Sequence, residues 1–200
     1  MARKPGELDV TREDWTHHDE FVTERNGGGD FFFARPRMVW SAAMPLDPDF
    51  IEDCLYGPGG LLIDEILTVD KENHFVSARM PTSADLPLTR EQRVHPVRHP
   101  RHVAGGLMVH MTGMVSFVHS YYVLGLRHKD GWVGYGAKIN SARFKALATA
   151  GEPLTLECKA KQLRQKEKSV FVRYEFRFLQ NTTVVYEGDQ SAFWSKLETP

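Results

Sequence analysis

Cysteine is scarce. Cys54 and Cys158 are the only two in the chain. They lie about a hundred residues apart in no CxxC or metal-type spacing, which excludes a disulfide framework or a cysteine-rich zinc module and reads as free thiols in a reducing compartment. An excess of either charge is also missing. Lys and Arg total 25 against 26 for Asp and Glu, so no basic surplus exists to hold nucleic acid. The first twenty residues carry both signs and no apolar h-region, which excludes a secretory signal, and they are too acidic for a transit peptide. The expected location is cytoplasmic. Internal repeats and low-complexity tracts are absent as well.

One further absence is local. Residues 103–126 contain no Asp, Glu, Lys or Arg, and the segment is as long as the roughly 20 residues that span a bilayer. His110, Thr112, Ser116, His119, Ser120 and several glycines interrupt it, and much of the remaining chain alternates like soluble strands. The expectation is therefore a buried central helix and no membrane span.

Histidine is concentrated around that helix. Residues 95–126 hold five of the nine histidines and open the apolar run on Gly105-Gly106. Imidazole titrates near neutrality, so a cluster beside a water-poor segment suits proton transfer. His95, His99 and His102 fall in the preceding loop and His110 in the helix. Gly105 and Gly106 would leave N–H groups open at the positive end of a helix dipole, with no side chain to block a carbonyl oxygen. No His-x-x-x-His and no Glu partner occur on the helix, so no metal is expected, nor any cofactor. Arg101, Arg127, Arg143 and Lys145 form a possible docking rim for an acidic carrier.

The chain reads as an N-terminal extension over 1–58, packed on a single domain over 59–200. Gly27, Gly28 and Gly29 mark a turn before the aromatic run Phe31 to Phe33. A short helix is expected over 47–55, with Asp47 as N-cap and Gly57-Pro58-Gly59-Gly60 as its stop. Residues 61–80 read as a hairpin with an Asp-Lys-Glu-Asn tip, and 131–144 as a glycine-bearing strand. Leu154, Leu156, Cys158 and Ala160 alternate with polar residues, Val170 to Phe178 repeats the device, and a last strand falls near 184–194. Hairpin, helix, then long antiparallel strands make an α+β domain, with a curved sheet wrapped around one apolar helix.

Over roughly 59–194 the chain resembles the hotdog-fold acyl-thioester enzymes, and most closely the beta-hydroxyacyl-ACP dehydratases. Residues Leu61-Leu62-Ile63-Asp64-Glu65-Ile66-Leu67 look like that family's opening strand. Asn140-Ser141-Ala142-Arg143-Phe144, followed by Ala150-Gly151-Glu152-Pro153-Leu154, looks like its later strand pair. Ala104-Gly105-Gly106-Leu107-Met108-Val109-His110 occupies the place of its Pro-Gly-Val-Leu-Met-Ile-Glu helix start.

The resemblance implies a homodimer, and a substrate acylated on acyl carrier protein or coenzyme A. It also implies elimination of water from a 3-hydroxyacyl thioester in fatty-acid or polyketide metabolism. A loop histidine, His95 or His99, is then the base, and Gly105 and Gly106 polarise the carbonyl, with His102 and Arg143 beside the substrate. The helix acid position holds His110. The family's loop histidine position falls on Pro96, and His95 fits with one extra loop residue. Two alternatives stand beside this lyase: a thioesterase on the same fold, and a non-catalytic binder of acyl thioesters.

Overall fold

The computed structural model describes residues 43–197; the expected turn at Gly27–Gly29 and the aromatic run Phe31–Phe33 lie outside them. After a two-residue strand β1 (Met44–Pro45), helix α1 (Pro48–Asp53) begins where the Asp47 side chain accepts the Asp49 N–H at 2.9 Å. Pro48 needs no donor partner at the first helical position. Phe50 from α1 is 1% exposed and meets the rings of Tyr121 and Tyr122 at 5.1 and 5.5 Å. Asp53 accepts the N–H groups of His128 and Lys129, both at 2.8 Å.

The glycine-rich stop expected at 57–60 is instead part of a helical turn, α2 (Pro58–Leu61). Pro58 supplies a preset φ, and Leu62 closes the turn at φ 54°. This turn displaces the hairpin's first strand, so β2 (Glu65–Asp70) starts four residues later than the apolar run suggested. β3 (Phe75–Met80) completes the hairpin.

The long helix α3 (Gly105–Tyr122) lies inside the expected apolar segment. Beyond it come β4 (Trp132–Phe144), β5 (Leu154–Lys166), β6 (Ser169–Gln180) and β7 (Thr183–Lys196). The charged run from Lys159 to Lys168, which reads from sequence as a solvated hairpin end, belongs to β5 as far as Lys166, and a tight turn at 167–168 leads into β6. Glycine at 131 sits in that role for a backbone reason: φ there is 87°, and the strand proper starts at Trp132.

The seven strands form one antiparallel sheet in the order β1-β2-β3-β5-β6-β7-β4. Apolar residues on alternate positions of β5 and β6 point to one face. α3 covers that face with Leu107, Met108, Met111, Met114, Val115 and Val118, all buried. Register shifts in β2, β4 and β5 add local twist, helping the sheet curve around the helix. Among the described residues, no helix is long and apolar enough to cross a membrane.

On the other face Arg173 pairs with Asp189, Lys161 with Glu175, and Arg177 with Glu157. Burial acts to raise the Asp189 carboxyl, and hydrogen bonds from Arg173 and Asn140 outweigh it, holding the pKa below the usual carboxylate value. These pairs close the ladder on its wet side.

Candidate functional site

The site begins at the first turn of α3. Ala104 is its N-cap, in extended conformation with no side-chain cap bond, and no acidic residue stands in the first turn. The N–H groups of Gly105 and Gly106 have no acceptor among the described residues. The approach to the helix is tied down: Val103 N–H donates to Ala148 O at 2.8 Å and Ala104 N–H to the Thr89 hydroxyl at 3.1 Å. Open donors on a fixed backbone at a helix N-terminus make an oxyanion-binding arrangement. A Cβ on Gly105 would lie 3.0 Å from the Phe144 ring, and one on Gly106 would lie 3.2 Å from Leu88. Glycine keeps that ground clear.

His110 sits one turn further along the helix. Its Nε2 lies 2.7 Å from Gly60 O, and a carbonyl only accepts, so Nε2 carries the proton. Nδ1 is therefore the basic nitrogen of the neutral ring, and it has no partner among the described residues. The Tyr56 ring packs edge-on at 5.1 Å. Thus α2 and the residues before it orient the imidazole, a role of Gly60 that no local pattern signals.

The loop histidines divide into two kinds. His95 and His99 exchange backbone hydrogen bonds, 2.9 Å each way, across an exposed turn. The His95 Nδ1 also accepts the N–H of Arg98 at 3.0 Å, which leaves its protonated Nε2 outward as a donor. His102 is half-buried and held on both sides: Gln92 bonds its N–H and its carbonyl, at 3.2 and 3.0 Å. Its Nδ1 lies 2.8 Å from Pro100 O, so Nε2 is the free basic nitrogen. Its ring contacts that of His99 at 5.1 Å.

The structure thus places Gly105, Gly106 and His110 on one helix, ties His102 three residues ahead of it, and puts His95 and His99 out on the turn. Arg143 is exposed on β4, next to Phe144. Among the described residues no three His, Cys, Asp or Glu side chains converge as a metal site would require.

Deeper along α3 lies a polar group that sequence reasoning missed. Thr112, 1% exposed, reaches Gln190 of β7 at 2.9 Å, and Gln190 Nε2 donates to the Tyr186 hydroxyl at 3.2 Å. Only the long-range pairing of helix and strand brings these three together. His119 is fully buried further on, with Nδ1 3.2 Å from the Tyr174 hydroxyl and Nε2 without a hydrogen-bond partner among the described residues. Burial, with a smaller contribution from His74, lowers its pKa from 6.5 to about 3. It is a neutral core residue.

No protein-family model matches the chain, and no curated protein sequence does. Solved structures do. A mutant thioesterase from Pseudomonas aeruginosa superposes with TM-score 0.51 at 14% identity, over 80% of this chain and all of that one. A thioesterase from Haemophilus influenzae gives 0.50 at 15% identity, over 80% and 98%. The dehydratase heterocomplex ApeI:P from Xenorhabdus doucetiae gives 0.50 at 18% identity, over 78% and 93%. The chain has the hotdog fold, as its motifs led one to expect. Because thioesterases and a dehydratase share that fold, it does not single out the dehydratases.

Proposed function

We propose that this chain is a homodimeric enzyme acting on acyl thioesters, carried on coenzyme A or acyl carrier protein, and that its reaction is hydrolysis. One observation carries the reading: two consecutive open N–H groups begin an apolar helix, with a basic imidazole nitrogen one turn away. The thioester oxygen accepts from Gly105 and Gly106. The His110 Nδ1 takes a proton from a water as its oxygen bonds to the carbonyl carbon. The tetrahedral adduct collapses with cleavage of the carbon–sulfur bond, and the proton passes to the leaving sulfur, giving acid and free thiol.

Hydrolysis asks for one base. Elimination from a 3-hydroxyacyl thioester asks for a second group to protonate the departing hydroxyl, and α3 supplies no carboxylate. The free Nε2 of His102 favours dehydration as the second reading, since two imidazoles can divide the acid and base roles. Dimer formation rests on β4, whose outer edge pairs with no strand among the described residues and exposes Tyr135, Ile139 and Phe144. A second copy would cover that edge.

Mass spectrometry of saturated and 3-hydroxyacyl thioesters, on both carriers, tests the proposal. Free acid is the expected product. Loss of water without thiol release would move the assignment to dehydration, and intact substrates that nonetheless bind would leave a non-catalytic binder.

A further inference from the structure

Along its helix-facing row, β7 presents Tyr186, Gly188, Gln190, Ala192 and Trp194. Gln190 is half-buried and lies opposite Ile139 of β4 and Tyr174 of β6 in the register. The Thr112 hydroxyl touches both Val109 O at 2.7 Å and Gln190 Oε1 at 2.9 Å, and it has one hydrogen to give. Whichever way the amide of Gln190 is turned, Thr112 and Tyr186 use one of its N–H groups and one of its lone pairs. One N–H and one lone pair are left without a protein partner among the described residues.

This amide is linked by contacts to the proposed carbonyl site. Gly105 abuts Phe144, the Phe144 ring meets Tyr186 at 5.4 Å, and the Tyr186 hydroxyl accepts from Gln190. Gly113 of α3 and Gly136 of β4 are exposed, and a Cβ on either would meet no atom within 4 Å, so the ground beside them opens to solvent. Six helical residues separate Gly106 from Thr112, a rise of about 9 Å along the axis.

The geometry points to Gln190 as a specificity-determining residue, one that selects acyl groups bearing a hydroxyl or keto oxygen about 9 Å from the thioester carbonyl. On an extended chain this is roughly the seventh carbon. The inference rests on the reading that the carbonyl binds at Gly105 and Gly106. An unsubstituted chain would leave the spare amide donor facing hydrocarbon, and a site so built discriminates against the analogue that lacks the oxygen.

The test compares octanoyl- and 7-hydroxyoctanoyl-coenzyme A on the full chain and on Gln190→Leu. Thiol release gives the ratio of kcat/KM, and calorimetry gives the ratio of Kd without turnover. The wild type is expected to favour the hydroxylated substrate by on the order of tenfold to a hundredfold, and Gln190→Leu to bring the ratio near one. If Gln190→Leu does not fold, Thr112→Val, which frees the amide to turn, is expected to reduce the same preference. Should neither substrate release thiol, the hydrolase reading falls, and the Kd ratio alone decides the role of Gln190. Equal Kd values in the wild type, or a preference that survives Gln190→Leu, overturn the inference; no binding of either overturns both.

Discussion

The two nitrogens of His110 differ in what they can do. One is committed to Gly60 O, and the other is the base of the proposed hydrolysis. His110→Ala is expected to lower kcat by about 10²- to 10⁴-fold, the usual share of a general base. His110→Gln, whose amide nitrogen stands at the ε position, would keep a donor for Gly60 without the basicity and is expected to fall as far; steady-state thiol release compares them. Wild-type activity in either variant would remove His110 from the chemistry. Gly105 makes a different demand. Gly105→Val brings branched bulk against a Phe144 ring 3.0 Å from the first added carbon. It is expected to cost activity at nearly unchanged stability, because Phe144 is 56% exposed and free to move. Parallel kcat/KM and melting measurements separate the two effects. The histidines were legible as a cluster because their spacing is local. Their tautomers were not, since Gly60 O and Pro100 O decide which nitrogen is basic.

Among the elements, α1 is small and well anchored. Asp47→Ala removes its cap and is expected to cost about 1 kcal/mol, and Phe50→Ala about 3–5 kcal/mol, both read from urea midpoints. The strands β5 and β6 could be read directly, because Leu154, Leu156 and Cys158, then Val170 to Phe178, alternate against polar neighbours at the strand period. α3 was equally plain from its uncharged run. α2 was hidden, since a Gly-Pro-Gly-Gly sequence ends helices more often than it makes one, and here tertiary packing of Leu61, 2% exposed, overrode that tendency. Gln190 was hidden for another reason: strand periodicity tells which face it shares, not that Thr112 crosses above it.

At the scale of the whole molecule, His119 couples folding to protons. Its folded pKa of about 3 lies below the ordinary imidazole value of 6.5, so the unfolded chain binds a proton that the folded chain refuses. Its contribution to stability is intact above pH 6.5 and is lost as pH falls toward 3. In that window the slope approaches about 1.4 kcal/mol per pH unit. Urea unfolding at stepped pH is expected to show this slope, flattened in His119→Gln. An unchanged slope would place the linkage elsewhere.

The two ends of the sheet are unequal. Among the described residues, β1 ends the sheet on one side with two residues, while β4 leaves thirteen along the other. If copies join through β4, each spends its one long edge on the other, related by a twofold axis. Among the described residues, what remains outward is the two-residue β1 and the short end of β2 beyond it, too little to recruit a third. The same open strand that invites association would thus make it self-terminating, a closed pair in place of a growing fibril.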